Sequence, residues 1–299
     1  MSLHGWIIYN GHLPATKFLD FAEWLQLSAS NKNITTQIIK NNELLSVLSS
    51  DSLDIVQEII IDLPDFVIFT DKDIYLAKQL ELLGVRVFNS AQSIAVSDDK
   101  IATYQILAQH RLPIPKTIIS PKIFSNLNQI DIGFSDKIVK ILGFPMIIKE
   151  AYGSFGEQVY IVKTVDEMTK KVRELAGKPF IFQEFIDSSY GKDIRLHVVG
   201  NQVVASMLRT ASNDFRANVS AGGTMEPYFP SSFERETAIA ATKAIGADFA
   251  GVDLLFGPNQ TPIICEINSN AHIRNMYDCT NINVADYIID YITDWFEHK

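Results

Sequence analysis

Short apolar runs alternate with helical segments over the first 90 residues, and this alternation restricts the fold more than any other feature of the chain. The apolar runs read GWIIYN, ITTQII, DFVIFTD and VRVFN, and the helical segments read KFLDFAEWLQLSA and DIYLAKQLELLG. Strands that are joined by helices pair in parallel through right-handed crossovers. The pattern therefore predicts a small parallel α/β domain over residues 1–90.

The rest of the chain predicts two α+β subdomains, over residues 91–188 and 189–299. In the first, Ser97 is expected to cap a helix that contains SDDKIATYQIL, and Pro113 and Pro115 end that helix. The strands PMIIKE and PFIFQEF follow it. The second subdomain contains paired strands and two helices, which read DIRLHVV, QVVASMLR, FAGVDLLF, TPIICEIN, ERETAIAATKAIG and NVADYIIDYITDWFEH.

The charge of the chain limits its partners. Its 35 acidic residues outnumber its 26 basic ones, and the net charge of −9 argues against broad binding of nucleic acid. No apolar stretch approaches the roughly 18 residues that a membrane span requires. Cys265 and Cys279 show no metal-type or redox-type spacing, and the start MSLHGWIIYN lacks a basic signal-peptide region. We expect free thiols and a cytoplasmic location, and we leave open whether the protein forms a homo-oligomer.

The segment MIIKEAYGSFG is the first candidate for chemistry. Lys149 closes its apolar run, and a short glycine-containing loop from Gly153 to Gly156 follows. One interpretation is an ordinary hairpin turn between two strands. The other is a phosphate site, because glycines let backbone N–H groups converge on an anion and a lysine adds a point charge. These residues alone do not decide between the two.

Polar side chains inside apolar strands are the second candidate. Asp253 lies in the middle of FAGVDLLF, where an unpaired carboxylate is costly. In PIICEINSN, strand alternation places Glu266 and Asn268 on one face and Cys265 on the other. Oxygen ligands at the ends of neighbouring strands suit Mg²⁺, although ion pairs explain the same acids equally well. Without a metal, Asp253 and Glu266 are expected to repel each other.

Two further segments carry charged residues beside breaks in the chain. In QEFIDSSYGKDIRLHVV, Asp193 and Arg195 share one face of a strand, which suits a surface hairpin or a site for a flat heterocycle. The long loop RTASNDFRANVSAGGTMEP carries Arg209, Arg216 and Asn218. Arginine serves bidentate recognition of phosphate or carboxylate, and long loops are commonly functional, so a solvated loop is the alternative.

In this order, five segments resemble motifs of the ATP-grasp superfamily, and of its RimK-type and LysX-type ligases in particular. They are FNSAQSIAVSDDKIATYQIL, LGFPMIIKEAYGSFGEQV, FQEFI…GKDIRLHVVG, RANVSAGG and FAGVDLLF…CEINSN, and they extend from about residue 89 to the C-terminus. The resemblance implies two α+β subdomains that clasp ATP. It also favours the phosphate-site interpretation of MIIKEAYGSFG.

The resemblance further implies a role for each matching residue. The residues that match nucleotide-binding positions are Lys100 and Lys149 at the phosphates, Ser154 and Gly156 in the glycine-rich loop, Glu184 and Phe185 at the adenine hinge, and Asp193. Those that match ligands of Mg²⁺ or Mn²⁺ are Asp253, Glu266 and Asn268. Those assigned to catalysis beside the transferred phosphate are Arg216, Asn218 and Arg209.

The segment after EIN departs from the RimK-type pattern, which usually continues into a glycine-containing stretch. Here SNAHIRNMYDCTN carries His272 and Arg274 and contains no glycine. We assign these two residues and Arg195 to substrate binding. The resemblance therefore does not carry over the glutamate specificity of the best-known members.

The implied activity is ATP-dependent ligation of a carboxylate to the amine of an amino acid through an acyl phosphate, with release of ADP and phosphate. Such a reaction depends on positioning and charge neutralisation rather than on a protein nucleophile. The carboxylate partner is a metabolite or a protein C-terminus. Two alternatives stay open, another ATP-grasp reaction such as dipeptide or nucleotide-precursor ligation, and a non-catalytic ATP-binding regulator.

Overall fold

The structure is a computed structural model that describes residues 3–13, 16–56, 62–124, 133–153, 156–217 and 222–298. Three regions follow one another along these residues, and each contributes one sheet to the surroundings of a central cavity. Two of the predicted site residues, Ser154 and Asn218, lie outside the described residues. No helix in the described ranges is long and apolar enough to cross a membrane.

The N-terminal region contains a four-stranded parallel sheet. In chain order its elements are β1 (His4–Tyr9), α1 (Thr16–Asn31), β2 (Thr35–Lys40), β3 (Leu45–Leu48), β4 (Leu53–Val56), β5 (Phe66–Phe69), α2 (Ile74–Leu82), β6 (Arg86–Phe88) and α3 (Ala91–Asp98). The sheet has the order β2-β1-β5-β6 with all pairs parallel. The predicted strands and helices are confirmed, and the hairpin of β3 and β4 was not predicted.

Both faces of this sheet are covered, which explains its continuous apolar strands. Ile7 of β1 packs in one core with Phe21 and Leu25 of α1. Trp6 and Ile8 point to the other face and pack with α2. The helices that follow β1 and β5 therefore lie on opposite faces of the sheet.

The central region contains an antiparallel sheet of order β7-β10-β8-β9. In chain order its elements are α4 (Lys100–Gln109), β7 (Thr117–Ile119), α5 (Ser135–Leu142), β8 (Met146–Glu150), β9 (Val159–Val162), α6 (Val165–Glu174) and β10 (Phe180–Glu184). Ile148, Phe180 and Phe182 pack on one face against α5 and α6. The other face carries Lys149 and Gln183 toward the cavity.

The predicted N-cap at Ser97 is wrong, because Ser97 lies inside α3. Its hydroxyl donates to the carbonyl of Ile94 at 3.0 Å, as an internal helical serine does. The next helix, α4, is capped by Asp99, whose carboxylate accepts from the N–H groups of Ile101 and Ala102. Asp99 has extended backbone angles, so the chain breaks there and Lys100 becomes the first residue of α4.

The C-terminal region contains a five-stranded antiparallel sheet of order β13-β12-β11-β14-β15. In chain order its elements are β11 (Lys192–Val199), β12 (Gln202–Thr210), β13 (Thr224–Pro227), α7 (Ser232–Ala244), β14 (Phe249–Phe256), β15 (Pro262–Asn268), α8 (Arg274–Thr280) and α9 (Val284–Glu297). The four predicted strands and two predicted helices are confirmed, whereas β13 and α8 were not predicted. Helix α9 returns to pack Ile288 and Ile289 against α1.

The side chain of Asn89, at the end of the N-terminal sheet, joins that sheet to the C-terminal region. Its amide nitrogen donates to the carbonyls of Phe249 and Ser269 at 2.8 and 2.9 Å. Its amide oxygen accepts from the N–H groups of Asp248 and Phe249. All hydrogen-bonding capacity of this buried amide is satisfied, so it fixes the start of β14 and the chain after β15 relative to the parallel sheet.

Candidate active site

A cavity of about 800 Å³ lies among the three regions, and most of the predicted site residues line it. The described residues of the predicted set that line it are Lys100, Lys149, Gly156, Glu184, Phe185, Asp193, Arg195, Arg209, Arg216, Asp253, Glu266, Asn268, His272 and Arg274. These residues therefore lie around one cavity, although their pairing differs from what was expected.

Lys100 and Lys149, which we call the lysine wall, face the cavity from the central region. Lys149 on β8 is only 7% exposed, and its Nζ lies 3.4 Å from the hydroxyl of Tyr104 and 3.8 Å from the thiol of Cys265. Lys100 at the start of α4 donates to the carbonyl of Gly153 at 3.0 Å and lies 3.8 Å from Glu266. Two ammonium groups therefore lie on the same side of the cavity.

The pKa values of the two lysines shift in opposite directions. Burial lowers the pKa of Lys100, and the carboxylate of Glu266 only partly opposes this. Burial also acts to lower the pKa of Lys149, but the negative charges that Cys265, Tyr104 and Glu266 carry when ionised outweigh it and raise that pKa. An anion placed between the two lysines would stabilise the charged form of both.

The segment GSFG joins β8 to β9, so the hairpin interpretation is correct as far as strand pairing goes. Gly153 and Gly156 have φ values of 131° and 74°, where a side chain would be strained. Gly156 also lines the cavity, and its carbonyl accepts from Nη1 of Arg216 at 2.6 Å. The hairpin is therefore compatible with the predicted phosphate site, because the loop that joins the two strands also lines the cavity.

Apolar residues surround the cavity near the end of β10. Glu184 ends this strand, and Phe185 follows with its ring 6.4 Å from that of Phe215. Ile147 and Leu255 also line the cavity. The backbone N–H of Glu184 is already bonded to the carbonyl of Lys116 at 2.9 Å. The slot suits a flat heterocycle, and its contact to Glu184 has to use groups other than this N–H.

The C-terminal sheet presents four charged residues that we call the ion-pair network, Asp193, Arg195, Arg209 and Asp253. Arg209 donates to both carboxylate oxygens of Asp193, at 2.6 and 2.7 Å, and to Asp253 at 2.8 Å. Arg195 makes a bidentate pair with Asp253, with both distances 2.7 Å. Burial would raise the pKa of Asp253, but the two guanidinium groups lower it to about 2. Two positive and two negative charges thus neutralise each other inside the sheet.

This network changes the interpretation of three predicted residues. Arg209 is both the last residue of the predicted strand QVVASMLR and the first residue of the predicted loop, and it lies in β12, where strand pairing sets it opposite Asp193. Asp193 and Asp253 were expected to contact the nucleotide and a metal, but their oxygens are held by arginines. The expected repulsion between Asp253 and Glu266 is wrong, since Arg195 and Arg209 neutralise Asp253 and Lys100 lies beside Glu266.

A β-bulge corrects the predicted orientation of Cys265. Asp253 pairs with Glu266, whereas the next residue, Leu254, pairs with Ile264, so Cys265 is the extra residue in β15. The bulge lets Cys265 and Glu266 both line the cavity, where simple alternation puts them on opposite faces. Burial raises the pKa of the Cys265 thiol, so it contacts Lys149 as a neutral group.

The predicted metal ligands lie together on the neighbouring strands β14 and β15, with Asp253 and Glu266 directly paired across the strands. The side chain of Glu266 is 34% exposed, and the buried Nδ2 of Asn268 has no hydrogen-bond partner among the described residues. Amide rotation can place the oxygen of Asn268 at that position. No cluster of three or more His, Cys, Asp or Glu suited to a metal occurs in the described ranges. The oxygen donors fit Mg²⁺ that also takes ligands from phosphate.

The residues assigned to substrate binding, Arg195, His272 and Arg274, line the cavity from the C-terminal region. Arg274 opens α8, pairs with Asp20 of α1 and covers the ring of Trp24 at 4.2 Å. The His272 ring lies 5.0 Å from that of Phe18. Arg195 belongs to the ion-pair network and is committed to Asp253.

Sequence reasoning missed several lining or supporting residues, which are Asn10, Asp20, Asp71, Tyr104 and Cys265. Tyr104 is hidden in the apolar pattern of α4, yet its hydroxyl donates to the carbonyl of Cys265 at 2.5 Å. Asp71 carried a usable signal, since it directly follows a fully apolar strand. Asp20 carried none, because its partner Arg274 is 254 residues away.

The two antiparallel regions that enclose the lysine wall and the carboxylates define an ATP-grasp protein. The structure superposes on that of the ATP-grasp ligase PsnB complexed with a phosphomimetic variant of its minimal precursor, Mg and ADP. The TM-score is 0.69 over 97% of each chain, at 16% sequence identity. The likeness confirms the predicted fold class.

A family model for the RimK-like ATP-grasp domain matches residues 97–292, and the chain belongs to this family. It is 37% identical over 220 residues to probable alpha-L-glutamate ligase 1 of Shewanella sp. (strain W3-18-1), covering 73% of this chain and 70% of that one. It is 31% identical over 235 residues to human N-acetylaspartylglutamate synthase A, covering 78% of this chain and 59% of that longer protein. The resemblance and the class of carboxylate–amine ligase that it implied are confirmed.

Proposed function

We propose that the protein uses ATP and Mg²⁺ to join a carboxylate to the amine of an amino acid. The observation that carries this proposal is the convergence of Lys100, Lys149, Gly156, Glu266 and Asn268 on one cavity. Ammonium groups and a glycine loop suit a triphosphate, and oxygen ligands beside them suit the metal that accompanies it. The ion-pair network beneath them supplies a rigid and neutral support.

The proposed reaction has two steps. A carboxylate oxygen of the first substrate attacks the γ-phosphorus of ATP, the bond from that phosphorus to the bridging oxygen breaks, and ADP leaves. The amine nitrogen then attacks the acyl carbon, the carbon–oxygen bond to phosphate breaks, and the nitrogen loses a proton as phosphate leaves. Both steps need oriented reactants and neutralised oxygen charge rather than a protein nucleophile.

The proposed roles follow from position in the cavity. Lys100, Lys149 and Gly156 hold phosphate oxygens, and the slot at Glu184 and Phe185 holds adenine. Ser154 lies outside the described residues, and its proposed role at the phosphates rests on the family resemblance alone. Arg216 neutralises negative charge on the transferred phosphate. Asn218, which lies outside the described residues, is assigned from the resemblance to donate a hydrogen bond to the same phosphate. Arg209, which is held by two carboxylates, acts by fixing Asp193 and Asp253 rather than by contacting substrate.

In this proposal, Glu266 and Asn268 would be the direct ligands of Mg²⁺. The bound ion would neutralise negative charge on the phosphates. Asp253 joins them only if it shares an oxygen with the metal while it keeps its arginines, or if Arg195 releases it. The donor types of the site fit the metal, since all three side chains offer oxygen.

L-Glutamate is the first amine to test, because two relatives are named for glutamate. The carboxylate substrate is proposed to be a small metabolite or a protein C-terminus, and the location to be the cytoplasm, where the unpaired Cys265 and Cys279 stay reduced. The assembly state is left to measurement of mass in solution.

A phosphate-release screen tests the proposal. Mg-ATP is incubated with each common L-amino acid in combination with a set of small carboxylates and peptide C-termini. We expect ADP and phosphate to form only when both substrates are present, with a new amide in the product by mass spectrometry. ATP binding without ADP release under any pair would overturn the proposal and favour a nucleotide-binding regulator.

A further inference from the structure

The strand order of the parallel sheet creates a crevice that is not part of the proposed nucleotide site. β1 and β5 are neighbours at its centre, α1 follows β1 on one face, and α2 follows β5 on the other. In open parallel sheets, ligands bind outside the carboxyl ends of two such strands, where the direction of winding reverses. Asn10 follows β1 and Asp71 follows β5, and both line the central cavity.

The chain after β15 closes this crevice from the other side. The Asn270 amide donates to the carbonyl of Phe69, the last residue of β5, at 2.6 Å. Asn270, His272 and Arg274 line the cavity together with Asp20 of α1. The cavity therefore has a second compartment, between the N-terminal sheet and residues 269–275, beside the compartment formed by β8, β9 and β10.

The charges of the second compartment differ between its two ends. At the inner end, Asp71 accepts a hydrogen bond from the neutral amide of Asn10 at 2.7 Å. The adjacent Lys72 pairs with Asp98 at 2.5 Å. Asp98 lies two residues before Lys100 of the lysine wall. At the outer end, Arg274 pairs with Asp20, and its side chain is 42% exposed. A carboxylate thus faces the reaction centre, and a guanidinium faces the mouth.

We propose that this compartment is an α-amino acid site, in which Asp71 and Asn10 bind the ammonium group and Arg274 binds the α-carboxylate. This orientation points the amine toward the lysine wall, where the activated carboxylate is formed, and it leaves the side chain of the amino acid directed toward His272 and Asn275. The inference rests on the proposed function and adds to it the place where the amino acid binds and the residues that recognise it.

Calorimetric titration tests the ammonium end. L-Glutamate is titrated first into the full chain with Mg-ADP, followed by each other common L-amino acid, and the best ligand is kept. Asp71→Asn preserves the hydrogen bond to Asn10 but removes the charge. We expect it to weaken binding of the amino acid at least about tenfold, as for a lost charge-assisted hydrogen bond, with the affinity for ATP unchanged. Asp51→Asn, on the exposed turn between β3 and β4, is the charge-matched control and should change neither affinity.

Two analogues of the best amino acid locate the charges. Its N-acetyl form lacks the ammonium group and should bind wild type weakly, with no further loss in Asp71→Asn. Its decarboxylated amine, 4-aminobutanoate for glutamate, lacks the α-carboxylate. Arg274→Gln should lower the binding affinity for the amino acid at least about tenfold but leave the binding affinity for the decarboxylated amine unchanged.

The outcomes separate this inference from the proposed function. If wild type releases phosphate with an amino acid while Asp71→Asn binds that amino acid normally, the ammonium site is wrong and the ligase activity stands. Failure of every L-amino acid to bind would also overturn the site. If wild type releases no phosphate with any substrate pair, the proposed function fails, whatever the titrations show.

Discussion

The two sides of the cavity carry charge in different ways. In the ion-pair network, Arg195 and Arg209 are matched by Asp193 and Asp253 at 2.6 to 2.8 Å, inside hydrogen-bonded strands. The lysine wall contains two ammonium groups, and its nearest carboxylate, Glu266, is 3.8 Å away from Lys100. The charges of the ion-pair network cancel within the network, whereas the lysine wall carries an excess of positive charge.

This difference indicates that the ion-pair network supports the fold, whereas the lysine wall serves ligand binding. A buried network whose charges cancel does not need a ligand, and its main requirement is that all members stay present. A pair of lysines with one distant carboxylate gains an interaction when an anion arrives. We therefore expect damage to the network to appear in stability, and damage around the lysine wall to appear in nucleotide binding and rate.

The largest effect should follow from Asp253→Ala. The substitution leaves Arg195 and Arg209 without the carboxylate that they share, and Arg209 is only 5% exposed. Removing one partner of a buried ion pair costs about 3–5 kcal/mol, so we expect that loss in the free energy of unfolding by urea. Asp214→Ala is the control, since its pair with Arg216 is partly exposed and should be worth under about 1 kcal/mol. Equal losses in the two variants would contradict the distinction between the two sides.

The second effect concerns rate rather than fold. Glu266→Gln keeps the shape of the side chain and removes the charge that the proposed metal needs. We expect the rate of ADP formation to fall at least ~100-fold, or about 2.7 kcal/mol of transition-state stabilisation. Stability should fall by at most about 1 kcal/mol, because Glu266 is 34% exposed and lies 3.8 Å from Lys100.

The metal itself provides the check on this variant. Excess chelator should reduce the wild-type rate to the level of Glu266→Gln, and added Mg²⁺ should restore only the wild type. Normal turnover by the variant, or activity of the wild type in excess chelator, would return Glu266 to the role of an ion-pair partner for Lys100.

Elements of the fold were predictable where the signal is local, and the pairing of charges was not. The apolar runs of β8, β14 and β15 identify strands because burial repeats along a few residues. The bulge at Cys265 depends on how two strands align, which neither strand shows alone. The bidentate pair of Arg195 with Asp253 joins residues 58 positions apart on separate strands. The acids and the arginines were therefore each recognised as candidate site residues, but the pairing of Arg195 and Arg209 with Asp253 was not predicted.

The N-cap at Asp99 shows a second limit. Ser97, Asp98 and Asp99 are all good capping residues, so the local sequence offers three competing starts for α4. The choice is made elsewhere, since the N–H of Lys100 bonds to the carbonyl of Ala151 and the Ser97 hydroxyl bonds to Ser269. Tertiary contacts thus decide where Lys100 is placed.

The third prediction tests whether the network tolerates another charge. His197 lies on β11 two residues after Arg195, is buried, and has no partner at Nε2 among the described residues. Burial lowers the pKa of His197 to about 3, and the positive Arg195 adds to this. The unfolded chain binds a proton near pH 6.5, whereas the folded protein binds it only near pH 3. Stability is therefore highest above pH 6.5 and falls as the pH decreases from 6.5 toward 3.

Between pH 7 and pH 5 this single group should cost about 2 kcal/mol of unfolding free energy. His197→Leu removes the titrating group, so the difference between wild type and variant should show that pH dependence. The groups acting on His197 besides Arg195 are Asp253, Arg209 and His272. The comparison is made by urea unfolding at both pH values, and parallel curves for the two proteins would show that His197 is not held neutral.

The smallest of the predicted effects should come from Lys149→Ala, a substitution in the lysine wall. The ammonium lies against the neutral Tyr104 and Cys265, so its removal leaves no buried anion without a partner, and the space opens into the cavity. We expect the dissociation constant for ATP to rise at least about tenfold, or about 1.4 kcal/mol, with unfolding free energy within about 1 kcal/mol of wild type. Lys178→Ala is the control, since Lys178 pairs with Glu150 and is 59% exposed. It removes a lysine from the same region and should leave ATP affinity unchanged. A large drop in melting temperature with normal ATP affinity would place Lys149 with the supporting residues and remove the distinction between the two sides of the cavity.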